Sequence, residues 1–124
     1  MYNYPRILYH LISLMRSANF SPKRLRELQN KKLRRVITYA YNNVPFYHEK
    51  FKSSGLRPED IRTVEDLNKI PVIRRAEIQQ NADKIISTKF DKNDLMVEST
   101  SGSTGRPLRT YITKWEDEFR KAKL

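Results

Sequence analysis

The sequence contains no cysteine, which excludes disulfide bonds, thiolate metal sites and a cysteine nucleophile. Histidine is scarce: His10 and His48 lie far apart, without the spacing of a metal-binding motif, so we expect each to be a surface or partly buried structural residue. No segment approaches the roughly 18 apolar residues of a membrane span. The nearest, residues 7–15, is interrupted by His10 and Ser13 and lacks a small-residue cleavage site. We therefore expect no transmembrane segment, no signal peptide and a cytoplasmic location.

Positive charge is abundant. The 124 residues include 25 Lys and Arg against 14 Asp and Glu, a net charge of +11. This balance favours anionic partners, which include nucleotides, nucleic acids and acidic membrane surfaces. The hydrophobic fraction is 38%, with a mean hydropathy of −0.77. A chain of 124 residues forms one domain at most. Its low hydrophobic content suits either a small helical domain or part of a larger one that shares its core.

Residues 1–20 form the first predicted unit, an amino-terminal amphipathic segment distinct from residues 21–124. Its apolar run has helical spacing and lies between Arg6 and Arg16. The pattern predicts a short helix that packs on the rest of the protein. The alternative is a helix that lies on a membrane surface, as Arg and Tyr at its edges suggest. The short patch and the scattered basic residues favour packing.

A long helix is predicted from Ser21 onwards. Ser21 suits the N-cap and Pro22 the first helical position, and the helix should end near Asn43, before Val44 and Pro45. One face of this helix is apolar, and the opposite face is basic over residues 23–35. The basic face allows an alternative function, a small nucleic-acid-binding protein. No aromatic side chains interleave with the basic ones as stacking platforms, so we favour no DNA or RNA partner.

Shorter elements follow. A helix is predicted over residues 46–54 with Gly55 as its terminator, and another over residues 74–81. Thr63 and Asp66 have the spacing of a capping arrangement. Near the carboxyl end, residues 95–97 and 108–112 have the pattern of two strands. We expect a hairpin there.

The connection between these strands is rich in hydroxyl groups and glycine. Residues 98–108 read Glu-Ser-Thr-Ser-Gly-Ser-Thr-Gly-Arg-Pro-Leu. Glycine lets the backbone turn with positive φ and approach a ligand closely, and successive N–H groups form an anion-binding concavity. The composition predicts a phosphate cradle. It does not match the Walker A spacing, and the alternative is an ordinary polar hairpin loop.

The string at residues 100–107, Thr-Ser-Gly-Ser-Thr-Gly-Arg-Pro, resembles the phosphate-binding signature of the adenylate-forming superfamily. Residues 33–47, 55–61 and 66–71 resemble the amino-terminal part of phenylacetate–CoA ligases and their CapK-type relatives in capsular polysaccharide biosynthesis. The resemblance covers about residues 25–124. Because members of that family are several times longer, it implies an amino-terminal fragment, truncated after the phosphate loop.

The resemblance implies ATP-dependent activation of a carboxylic acid, with ATP, Mg²⁺ and coenzyme A as cofactors. It assigns the phosphate contacts to Thr100, Ser101, Gly102, Ser103, Thr104, Gly105 and Arg106. The hydroxyls would donate hydrogen bonds and the glycines would permit close approach. Many superfamily members carry a basic residue directly after the proline, whereas Leu108 stands there in this chain. Arg109 should point to the opposite face of the strand, whereas Arg106 could supply that contact, and the choice between the two stays open.

A last helix begins at Thr113, which forms a capping box with Glu116. Trp115 and Phe119 share one of its faces and need a partner. The helix is cut at Leu124, so we expect the complete protein to continue, and a complementary chain that covers this face is a further alternative.

Together these features predict an α+β fold, mostly helical and followed by a β-hairpin that carries the phosphate loop, as a fragment of an adenylate-forming domain. Its partners would be ATP and a carboxylic acid. Whether the chain is itself an enzyme stays open, because the residues beyond Leu124 would hold most of the active site and the chain offers no catalytic residue. We expect the fragment alone to be inactive.

Overall fold

The computed structural model describes residues 4–100, 105 and 107–121, except for the side chain of Tyr4. The helices are α1 (Tyr4–Ala18), α2 (Pro22–Asn43), α3 (Pro45–Ser53), α4 (Arg75–Gln80) and α5 (Lys114–Lys121). The strands are β1 (Met96–Ser99) and β2 (Arg109–Ile112), and short 3₁₀ turns lie at Pro58–Asp60, Val64–Lys69 and Lys92–Asp94. The described chain is thus mostly helical with one antiparallel hairpin, which confirms the predicted α+β class.

The ends of α2 are where the sequence predicted them. Ser21 caps the helix, since its Oγ accepts a hydrogen bond from the Arg24 N–H at 3.3 Å, and Pro22 takes the first helical position. The helix ends at Asn43 because Val44 is extended (φ −118°, ψ 106°) ahead of Pro45. α2 then packs against α3.

A small hydrophobic core lies where α2, α3 and the following turn meet. Ile37, Phe51 and Ile61 are buried there, and Phe51 and Ile61 are only 2% and 0% exposed. Gly55 lets the chain turn back into this core with φ +66°, a conformation that glycine adopts without strain. The predicted role of Gly55 as the helix terminator is therefore confirmed.

Three short elements begin with the same side-chain contact. A carboxylate accepts a hydrogen bond from a backbone N–H three residues earlier at Arg57–Asp60 (2.8 Å), Thr63–Asp66 (3.0 Å) and Arg74–Glu77 (2.9 Å). The contact with Lys69, followed by the N–H groups of Thr63 and Arg62, holds the pKa of Asp66 well below its usual range. The capping arrangement predicted at Thr63 and Asp66 is therefore confirmed.

The first helix packs on the last. His10 is buried, with its ring centroid 5.0 Å from that of Trp115 and 4.9 Å from that of Phe119, in edge-to-face arrangements. Arg6 Nη1 lies 3.3 Å from Glu118 Oε2. Helix α1 therefore covers part of the aromatic face that the sequence left without a partner, although Trp115 stays 50% exposed. Of the helices that the structure describes, none is long and apolar enough to cross a bilayer.

Candidate functional site

The loop between β1 and β2 is closed at its base by Thr100. The Thr100 N–H donates to the Leu108 carbonyl at 3.0 Å, and the Leu108 N–H donates to Thr100 Oγ1 at 3.3 Å. Below this pair the strands are in register, with Ser99 opposite Arg109 and Met96 opposite Ile112. Thr100 thus extends the ladder by one step before the chain enters the glycine-rich stretch.

Of the predicted phosphate-contacting residues, Thr100 and Gly105 lie in the described part of the chain. Ser101, Gly102, Ser103, Thr104 and Arg106 lie outside the described residues. Gly105 has φ +149°, and a Cβ added there would meet no atom within 4 Å. Backbone conformation, not crowding, therefore favours glycine at this position.

Arg75 also reaches the base of the loop, and the sequence analysis missed it. Its Nη2 donates to Thr100 Oγ1 at 3.3 Å, from the first residue of α4. The preceding residue is held by the bond from Arg74 N–H to Glu77, which fixes the start of this short helix. A guanidinium therefore lies at the entrance of a loop predicted to bind anions. Arg75 stands 25 positions before Thr100, and its local pattern gave no signal of this contact.

A cleft lies behind the hairpin, and Tyr111 of β2 is among the residues that line it. Leu108 and Thr110 also line this cleft, which has a volume of about 350 Å³, together with Ile78, Ile86 and Phe90. Arg109 lies between them in sequence and is exposed to solvent. Neighbouring strand residues point to opposite faces. Whether Arg106 or Arg109 supplies the basic contact stays a prediction.

The hairpin is attached to α5 through Arg120. Its Nη1 lies 2.6 Å from Glu98 Oε2, and its Nη2 lies 3.3 Å from Glu116 Oε1. These carboxylates, Glu98 foremost, raise the pKa of Arg120. The carboxylate nearest to the loop is thus already paired. Within residues 4–100, 105 and 107–121, no three His, Asp or Glu side chains converge as a metal site would require.

The basic face of α2 is partly engaged within the chain. Arg24 stacks on the Phe20 ring at 3.8 Å, Arg26 pairs with Glu65 at 2.8 Å, and Arg34 donates to the Arg62 carbonyl at 3.1 Å. These contacts fit a solvated face that also braces the neighbouring turns. The nucleic-acid alternative stays a hypothesis.

The sequence is similar to those of known proteins. The chain is 34% identical to protein CapK of Staphylococcus aureus over 113 residues, which are 91% of this chain and 24% of CapK. It is 31% identical to the phenylacetate–coenzyme A ligase of Escherichia coli K12 over 90 residues, 73% of this chain and 21% of the ligase. The matched part is the amino-terminal fifth or so of these relatives. The sequence of this chain is therefore similar to the amino-terminal part of CapK and of the phenylacetate–coenzyme A ligases.

Solved structures agree with that relationship at the level of the fold. A 2-hydroxyisobutyryl-CoA ligase in its thioesterification state matches with a TM-score of 0.64 at 23% identity, over 78% of this chain and 22% of that one. The same ligase in its postadenylation state matches with a TM-score of 0.66 at 21% identity. No family profile matches the chain. The CapK-like chain thus spans between a fifth and a quarter of the length of the curated relatives it matches.

Proposed function

We propose that residues 100–106 of this CapK-like chain bind the phosphates of ATP, as part of an enzyme that activates a carboxylic acid. The observation that carries the proposal is the base of the loop. There Thr100 Oγ1 accepts hydrogen bonds from both the Leu108 N–H and the Arg75 guanidinium. This arrangement joins Thr100 and Leu108, the two ends of the hydroxyl- and glycine-rich segment, at the end of a two-stranded ladder. The homology to acid–CoA ligases supports the same assignment.

The chemistry of the loop follows from the charge of its substrate. In acid activation the carboxylate oxygen attacks the α-phosphorus of ATP, the acyl-adenylate forms, and pyrophosphate leaves. Such a leaving group needs charge stabilisation and positioning more than covalent help. The hydroxyls of Ser101, Ser103 and Thr104 would donate to the β- and γ-phosphates, Gly102 and Gly105 would let the backbone approach, and Arg106 would add positive charge. Arg75 would orient Thr100 and strengthen the positive field at the entrance.

Magnesium would come with the nucleotide. The chain's own donor set does not fit a metal site in the described residues, since Glu98 is committed to Arg120 at 2.6 Å. The ligands of a Mg²⁺ ion would therefore be oxygens of the nucleotide phosphates.

The acyl acceptor is proposed to be coenzyme A, as the names of the ligase relatives indicate, with the reaction in the cytoplasm. Residues 1–20 are proposed as an accessory segment and residues 21–124 as part of the adenylate-forming domain. Because the chain spans only about a fifth of the ligases, we propose that these 124 residues bind the triphosphate but do not catalyse acid activation.

Nucleotide titration of the 124-residue chain tests the loop. ATP should bind more tightly than AMP, because the assigned contacts are to the β- and γ-phosphates. Thr100→Val should weaken ATP binding about tenfold, the expected loss for one hydrogen bond to a charged group. The matched control is Thr88→Val at an exposed threonine. Equal affinity for ATP and AMP, or equal effects of the two variants, would reject the phosphate loop.

Pyrophosphate exchange tests the second part of the proposal. The 124-residue chain should give no carboxylate-dependent exchange between ATP and pyrophosphate. Measurable exchange would show that these 124 residues suffice for catalysis and would overturn the proposal that they do not.

A further inference from the structure

The outward face of α1 is apolar and exposed. Leu8, Leu11, Ile12 and Met15 recur at the i, i+3, i+4 and i+7 positions of one helical stripe, and each is between 41% and 62% exposed. We call these four residues the outer stripe. Isolated exposed apolar residues are common, but a continuous stripe along a helix indicates an interaction surface.

The inward face of the same helix is less apolar than the outer stripe. Ile7, His10, Leu14 and Ser17 lie inward, where His10 is buried and the other three are half-buried. His10 Nε2 has no hydrogen-bond partner in the described part of the chain. The helix therefore turns its mixed face to the protein and its apolar face to the outside, the reverse of an ordinary surface helix.

The amino-terminal part of the chain is almost entirely basic, although Arg6 of α1 is paired with Glu118 of α5. Residues 1–35 contain nine of the 25 basic residues and one of the 14 acidic residues, Glu27, so they carry +8 of the net charge of +11. Helix α1 contains no acidic residue at all. This distribution repels a second copy of the same face and attracts an anionic one.

Apolar and basic side chains also meet in a single cleft. The groove between α1 and α2 has a volume of about 380 Å³ and is lined by Ile12 and Arg16 from α1 and by Leu28 and Lys32 from α2. In the described chain, no acidic side chain lines it. Phe20 borders the same groove, with Arg24 stacked over its ring. Basic groups beside an apolar surface are the arrangement by which interfacial helices contact phosphates and acyl chains together.

We propose that α1 docks this protein on the surface of a membrane that contains anionic lipids. The helix lies in the plane of the interface, with the outer stripe among the acyl chains near the headgroups. Arg16 and Lys32 then contact lipid phosphates from the adjoining cleft. Charge complementarity favours a membrane as the partner of this helix, because a bilayer with anionic headgroups offers both an apolar layer and a negative surface. The proposal is independent of the nucleotide loop.

Vesicle co-sedimentation of the 124-residue chain is the test. The chain should bind vesicles of phosphatidylcholine with about one-third phosphatidylglycerol, and should bind pure phosphatidylcholine vesicles much more weakly. Binding should weaken as the salt concentration rises, because the attraction is partly electrostatic. Equal binding to both vesicle types, or none to either, would overturn the proposal.

Two pairs of matched variants locate the contact. Leu11→Ser with Met15→Ser should lower the vesicle partition coefficient at least tenfold, whereas Val72→Ser with Val97→Ser, at exposed valines outside α1, should leave it unchanged. Arg16→Gln with Lys32→Gln should lower it about 30-fold, at about 1 kcal/mol for each basic residue. Lys52→Gln with Lys89→Gln makes the same change in net charge at exposed positions and should have a much smaller effect.

Other occupants of the outer stripe give different results. A second copy would appear as a dimer in light scattering that the Leu11→Ser and Met15→Ser changes abolish, and this outcome would contradict the proposal. If the Arg16/Lys32 pair and the Lys52/Lys89 pair lowered vesicle binding equally, binding would depend on net charge alone. That result would also reject α1 as the docking element. Circular dichroism of each variant confirms that the helices are retained before its binding is interpreted.

Discussion

The helical core region, residues 21–70, and the hairpin region, formed by β1, β2, α5 and the packed α1, are stabilised differently. In the core region, Ile37, Phe51 and Ile61 are buried together. In the hairpin region all four residues of β1 are exposed. Ile112 of β2 is buried, and the contacts within this region include the ion pairs of Arg120 with Glu98 and of Arg6 with Glu118 and the ring contacts of His10.

The residues that stabilise the fold are therefore largely separate from the loop that is proposed to bind the nucleotide. Apolar burial is the main favourable term in folding, and the cluster of Ile37, Phe51 and Ile61 lies far in sequence from the loop at residues 100–108. Exposed ion pairs contribute little, so the loop and its strands can shift without loss of the core. Changes in the hairpin region should alter ligand binding first, and changes in the core region should alter the free energy of unfolding first.

The largest expected effect is in the core region. Phe51→Ala should lower the free energy of unfolding by about 3–5 kcal/mol, because it leaves a cavity beside Ile37 and Ile61. Urea denaturation followed by circular dichroism measures it. Val97→Ala in the exposed strand β1 is the matched change, and it should cost much less. Similar costs for both would remove the distinction between the two regions.

The contact between α1 and α5 should rank second. His10→Ala removes the ring that packs on Trp115 and Phe119, and we expect a loss of about 2 kcal/mol. Trp115 is the only tryptophan of the chain, so its fluorescence reports directly on this contact. Its emission should shift to longer wavelength in the variant. An unchanged spectrum would show that α1 does not pack there in solution.

A backbone change should affect the loop more than the core. Gly105→Ala forces a side chain into φ +149°, at a cost of about 1–3 kcal/mol to the loop conformation. Binding of ATP should weaken by tenfold or more, while the urea midpoint of the core changes little. Ser99→Ala, in the strand just before the loop, is the control and should retain ATP binding.

Acid should weaken the core region through Asp66. Its pKa is lowered by Lys69 and by the N–H groups of Thr63 and Arg62, so the folded state favours the carboxylate. The stabilisation is fully present above the ordinary pKa of about 4 and is lost as the pH falls towards the lowered value. Asp66→Asn should flatten this part of the stability–pH profile. A profile identical to that of the unchanged chain would contradict the assignment.

The smallest effect is expected at the surface of α2. Arg26 and Glu65 are paired at 2.8 Å with both side chains more than half exposed. Arg26→Gln should change the free energy of unfolding by less than the error of a urea titration, because solvent screens such pairs. A clear loss would show that the basic face of α2 is held by its ion pairs.

Local sequence signals predicted most of the fold. The cap at Ser21, the stop before Pro45, the turn at Gly55 and the hairpin all depend on residues close in sequence, whose backbone preferences act directly. The membership of the adenylate-forming fold came from the loop string and the upstream segments. The structure describes two of the predicted loop residues, Thr100 and Gly105, and their roles in phosphate binding stay a prediction.

What sequence patterns missed depends on contacts between distant residues. Arg75 reaches Thr100 across 25 positions, and nothing in the sequence around Arg75 marks it out from the other arginines. The amphipathic pattern of α1 was visible, but the face that turns inward is chosen by α5. Its Trp115, Phe119 and Glu118 select His10 and Arg6, and thereby leave the outer stripe exposed.

The contact of Arg6 with Glu118 also has a consequence during synthesis. The two residues are 112 positions apart, so a ribosome makes nearly the whole chain before α1 can meet α5. At about 5–20 residues per second, this interval lasts on the order of 10 s. Throughout it, both the inward and the outward faces of α1 are available to other surfaces.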